Sequence, residues 1–72
     1  AGDQEVKAPM AGTILDVKVA VGTPVKKGQV IAILEAMKLE NEVVSTADGT
    51  VKQVLVNKGQ AVTNQQVLVI VG

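Results

Sequence analysis

The chain is 72 residues long, with seven lysines, seven carboxylates and no histidine, cysteine or aromatic residue. That length allows one domain near the lower limit for a core without staples, and the composition removes disulfides, thiol chemistry and the usual zinc ligands. With no arginine and no ring for base stacking, nucleic acid is excluded as a partner.

In chain order, residues 1–4 are small or polar and read as the end of a linker, expected to be disordered, with 5–72 as the folded domain. The start lacks the apolar core of a signal peptide, and the longest apolar run falls far short of a membrane span, so direct membrane insertion is not expected. Absence of cysteine fits a reducing compartment, and a cytoplasmic location is expected. Fifteen valines and four isoleucines beside five leucines favour strands over helices, because branching at Cβ suits a pleated surface. Turn signals at Gly12, Gly22-Thr23-Pro24, Lys27-Gly28, Asp48-Gly49, Lys58-Gly59 and Asn64 divide the chain into about eight short strands.

An internal repeat organises these strands. A shift of 37 lays Gly12–Leu34 on Gly49–Val71 without a gap, and nine of the 23 pairs are identical, among them Gly12 with Gly49, Gln29 with Gln66 and Val30 with Val67. Neither half can bury its apolar face alone. The two are therefore expected to pack sheet on sheet about an approximate two-fold axis. The expected fold is all-β, a flattened barrel or sandwich of two four-stranded antiparallel sheets (a barrel-sandwich hybrid), with Val30 and Val67 in its core.

Between the halves lies Glu35-Ala36-Met37-Lys38-Leu39-Glu40, after an apolar run from Val30 to Leu34. It reads as a hairpin tip with Met37 and Lys38 as the central pair, Ala36 facing Leu39 and Glu35 facing Glu40. A two-residue hairpin turn normally carries Asn-Gly or Asp-Gly, since both central residues need positive φ. Met37 and Lys38 do not suit that geometry, and two like charges oppose each other just below them. A chain that breaks local rules at its most exposed turn is keeping a functional group there, and the group is the Lys38 amine. By the repeat, the counterpart of Lys38 falls just beyond Gly72, so the chain ends are expected at the opposite end of the barrel.

No constellation for catalysis is evident in the sequence, neither a nucleophile with its base nor a tuned carboxylate pair. Glu35, Glu40 and Glu42 read as a solvated acidic rim, with docking of a partner as their other use. Lys26-Lys27 reads as a surface turn, and Thr13 and Thr50 as duplicated strand residues with no base nearby.

Ala36-Met37-Lys38-Leu39, preceded by Glu35 and set in a duplicated all-β domain of this length, resembles the biotinyl domain of biotin-dependent carboxylases, decarboxylases and transcarboxylases. The resemblance runs from Val6 to Gly72 and takes in Ala8-Pro9-Met10-Ala11-Gly12, Gly22-Thr23-Pro24-Val25, Lys27-Gly28-Gln29 and Leu68-Val69-Ile70-Val71-Gly72. It implies biotin, attached covalently to the ε-amine of Lys38 by a biotin protein ligase, with Met37, Leu39, Ala36 and Glu35 recognised around the hairpin by ligase and partners. Leu39 departs from the commoner methionine but keeps an apolar side chain of similar volume. The implied partners are biotin carboxylase and carboxyltransferase or decarboxylase subunits or domains, between which the domain carries a carboxyl group without being an enzyme itself. The gapless repeat resembles carriers that lack an inserted thumb.

Three rivals remain. A lipoyl carrier domain of a 2-oxo acid dehydrogenase shares the fold and the hairpin lysine but resembles Asp-Lys-Ala at the tip, where this chain has Met37-Lys38-Leu39. An unmodified adaptor barrel needs no lysine there. An enzyme using Lys38 as a Schiff-base amine needs burial that a hairpin tip does not provide.

Overall fold

A computed structural model describes residues 3–72. It contains eight strands: β1 (Gln4–Lys7), β2 (Gly12–Val17), β3 (Pro24–Val25), β4 (Val30–Ala36), β5 (Leu39–Val44), β6 (Gly49–Val54), β7 (Ala61–Val62) and β8 (Val67–Val71). They form two four-stranded antiparallel sheets, ordered β1-β8-β6-β3 and β5-β4-β2-β7. β1 takes in Gln4, which pairs with Val71, so the strand begins one residue before the expected boundary. Of the expected linker, Ala1 and Gly2 lie outside the described residues.

The repeat seen in the sequence is the symmetry of the fold. Adding 37 carries β1 onto β5, β2 onto β6, β3 onto β7 and β4 onto β8, and the order of one sheet becomes that of the other. Registers follow: Ile14↔Leu34 becomes Val51↔Val71, and Val30↔Val44 becomes Val67↔Lys7. The two halves are interlocked rather than stacked, since short strand β3 pairs with β6 of the other half and β7 pairs with β2. The matching connections, residues 18–23 and 55–60, are equal in length, so neither half carries an inserted thumb.

Side chains buried in the core fall on symmetric positions: Val6/Val43, Ala8/Ser45, Ile14/Val51, Val19/Val56, Val25/Val62, Ile31/Leu68, Ala32/Val69 and Leu34/Val71. Ser45 is satisfied there by its own hydroxyl, which donates to the Ala47 carbonyl at 2.6 Å. Here the structure corrects an expectation: Val30 and Val67 are half-buried, and Ile31 and Leu68 are the fully buried residues. The cause is a bulge. The ladder skips Ile31 between Val30 and Ala32, and Leu68 between Val67 and Val69. An extra residue shifts the alternation by one, so two successive side chains turn inward and the preceding valine turns out.

The turns explain why Gln29 and Gln66 are identical in the repeat. Each side-chain Oε1 accepts from the backbone N–H three residues earlier, Lys26 at 3.2 Å and Thr63 at 3.0 Å. The symmetry is broken one residue before each glutamine. Gly28 has φ 89°, whereas its counterpart Gln65 is held at φ 67°, in a left-handed region that costs a non-glycine residue about 1–2 kcal/mol. Gln65→Gly should relieve this and, after the added freedom of the unfolded chain, raise stability by about 0.5 kcal/mol. A melting point raised by about 2–4 °C in calorimetry would confirm it; an unchanged or lower one would show that the Gln65 side chain contributes more than its backbone strain removes.

Candidate functional site

The hairpin between β4 and β5 has the expected register. Glu35 pairs with Glu40 and Ala36 with Leu39, leaving Met37 and Lys38 as a two-residue loop. Both adopt positive φ, 55° and 66°, as the type I′ turn demands. Neither is glycine or asparagine, so the turn stores strain of about 1–2 kcal/mol at each residue. The strain is accommodated because the ladder continues from Ala36–Leu39 down to Val30–Val44. Ala36 at the base is buried and paired with Leu39, which fixes the base of the tip.

Above that base everything is in water. Met37 is 87% exposed and Leu39 67%, and the Lys38 side chain is also exposed. Among the described residues the ion pairs are Lys7–Glu5 at 3.8 Å and Lys18–Asp16 at 2.8 Å, so Lys38 is not engaged in one. Glu35, Glu40 and Glu42 are all exposed, forming the acidic rim expected. Asn41 Nδ2 donates to the Leu39 carbonyl at 3.3 Å, on the β5 side of the turn. The arrangement offers an accessible amine flanked by two apolar side chains, with no enclosing walls.

Other features lie elsewhere. A shallow groove lined by Asp3, Gln4, Glu5, Lys7, Gln53 and Ile70 crosses the outer face of the β1-β8-β6 sheet. The Asp16 carboxyl is held below its usual range by the hydrogen bond from Lys18 and then by that ammonium's charge, and Lys18 is raised in turn. The stability this pair contributes is present above the unfolded carboxyl pKa and lost as pH falls through the depressed one; both groups are well exposed, so it is small.

The tip lies away from Asp3 and Gly72, the ends of the described chain, which are next to each other in a molecule 35 Å long and 19 × 18 Å across. From Ala36 the ladder runs down to Val30 and Val44, then to Gly28 and Ser45, joined by a backbone hydrogen bond of 2.8 Å. Beyond Ser45 lies Gly49, whose absent Cβ would touch the Gly72 carbonyl at 3.0 Å. The sequence placed the ends here from the repeat alone.

One residue that steadies the tip was read in the sequence as a turn signal and a member of the repeat, with no link to the tip. A Cβ on Gly12 would collide with the backbone carbonyl of Glu35, two residues below Met37, because β2 and β4 approach closely there. Gly12→Ala should therefore destabilise by about 2 kcal/mol and shift the base of the hairpin. Urea unfolding would report the loss; a midpoint equal to the parent's would show that β2 moves aside freely.

A duplicated β-sandwich with Lys38 exposed on a strained turn, away from Asp3 and Gly72, has the geometry of a carrier domain. The chain belongs to the biotin-requiring enzyme family, whose model, described as "Biotin-requiring enzyme", matches residues 4–71. It is 54% identical over 55 residues to the biotin carboxyl carrier protein of Streptococcus mutans, covering 76% of this chain and 42% of that protein. It is 50% identical over 52 residues to the methylmalonyl-CoA decarboxylase gamma subunit of Veillonella parvula, covering 72% of this chain and 40% of that one. In structure it resembles the urea carboxylase of Kluyveromyces lactis, with a TM-score of 0.92 and 26% identity over all of this chain and 6% of that one. The chain thus spans about two-fifths of the curated carrier and decarboxylase subunits it matches.

Proposed function

We propose that this domain is a biotin carboxyl carrier and that Lys38 is its attachment residue, with biotin joined through an amide on the ε-nitrogen. The observation that carries the assignment is the Met37-Lys38 turn, where an exposed amine sits on a backbone held at positive φ without glycine or asparagine. The site suits biotin because attachment requires an accessible amine rather than a pocket. When bound, biotin supplies a ureido nitrogen on which a carboxyl group is carried. The chain's own part is mechanical. The β4–β5 ladder fixes the direction of the arm, Ala36 holds its base, and Met37 and Leu39 provide apolar contact for whichever surface must grip the tip.

In this reading the partners are a biotin protein ligase, which loads Lys38, and the donor and acceptor active sites of a carboxylase, decarboxylase or transcarboxylase. Asp3 and Gly72, together and away from the tip, suit a tether that would hold the domain near both sites and raise its effective concentration there. The lipoyl alternative is less supported, because the carrier relative, 54% identical over 55 residues, is named for biotin. The test is coexpression with a biotin protein ligase followed by intact mass and peptide mapping. One biotinyl increment on the peptide containing Lys38 is expected; an unloaded chain, or a lipoyl group in a host able to make both, would overturn the assignment.

A further inference from the structure

The chain contains two methionines, and their surroundings differ sharply. Met10 is half-buried and packs against the hydrophobic core. Met37 is 87% exposed, the largest exposure among the large apolar residues of the described chain, and lies beside Lys38. No cysteine is present to react first with an oxidant. Thioether oxidation follows access to solvent, so attack on this chain is concentrated at one sulfur, next to the amine to be loaded.

We propose that Met37 is an oxidation site that controls the loading of Lys38. This rests on Lys38 being the attachment residue. A hydroperoxide transfers one oxygen atom to the Met37 sulfur: its O–O bond breaks, an S–O bond forms, and the peroxide leaves as water or an alcohol. The sulfur is oxidised by two electrons and the peroxide reduced by two. The product replaces a flexible apolar side chain with a polar, chiral sulfoxide. An apolar contact made by a ligase around the tip must then desolvate that dipole without a partner for it, an effect expected to slow loading by about tenfold. The fold is unaffected, because the Met37 side chain touches no buried cluster and the strand pairing ends at Ala36–Leu39. The reaction is reversible by methionine sulfoxide reductases, one for each epimer.

The experiment treats purified unloaded domain with hydrogen peroxide, removes the peroxide, and measures the rate of loading by a biotin protein ligase against untreated protein. The expected result is one added oxygen on the Met37 peptide, loading slowed about tenfold, an unchanged melting temperature, and recovery of the rate after both reductases. In Met37→Leu, whatever its own rate, peroxide should change nothing; in Met10→Leu the sensitivity should persist. Sulfoxide at Met37 with an unchanged loading rate would overturn the proposal, as would sensitivity that disappears with Met10→Leu. If untreated protein took up no biotin at Lys38, the assignment of Lys38 would fall first and this inference with it.

Discussion

Lys38→Ala is expected to take up no biotin at all while melting within about 2 °C of the parent. The loss is complete because the ε-amine is the only group at the tip able to form the amide. Stability is preserved because the removed atoms are in water and alanine at φ 66° meets much the same left-handed penalty as lysine. The strain also makes a sharper test. Replacing Met37 and Lys38 together by Asn-Gly, the pair that type I′ turns favour, should stabilise the domain by about 1 kcal/mol as it abolishes loading. Intact mass and calorimetry on the two variants answer both questions. A large fall in melting temperature for Lys38→Ala would mean that the tip helps hold the fold, and a less stable Asn-Gly variant would mean that the turn is not strained.

Ile31→Asp, and its symmetric partner Leu68→Asp, should unfold the domain. Each places an unpaired carboxylate at a position with no solvent access, where the penalty is about 3–5 kcal/mol or more. A chain of this length has about 4–11 kcal/mol of stability in total, and the apolar contacts of the removed side chain are lost as well. Val30→Asp is the informative control. Its side chain is half-buried and turned out by the bulge, so that variant should remain folded with a lowered melting point. The chain has no aromatic residue to fluoresce, so amide dispersion in a proton–nitrogen correlation spectrum is the suitable measurement. An Ile31→Asp variant with a dispersed spectrum, or a Val30→Asp variant without one, would contradict the inward phase of β4.

The acidic rim tempers both experiments. Glu35 and Glu40 face each other across the ladder just below the turn, a like-charge pair that weakens the hairpin slightly. Strain in the turn and repulsion beneath it are tolerated at the same place, while Ala36 and the rest of the ladder hold the hairpin closed. Strained backbone and like-charge repulsion thus meet around the Lys38 amine.

Much of this could be read from residue order. Valine-rich segments between turn signals led to eight strands, and the 37-residue repeat led to a two-fold pair of sheets with the tip and ends apart. The misfit of Met37-Lys38 to a two-residue turn pointed to Lys38, because turn preferences are local and act through neighbouring residues. What only the tertiary structure decided depends on pairing between distant segments. The exchange of β3 and β7 between halves, the approach of Gly12 to Glu35, and the bulges that bury Ile31 and Leu68 in place of Val30 and Val67 all arise where a strand meets its partner. A bulge changes which side chains face inward without altering composition or spacing, so alternation in the sequence reads the same with it or without it.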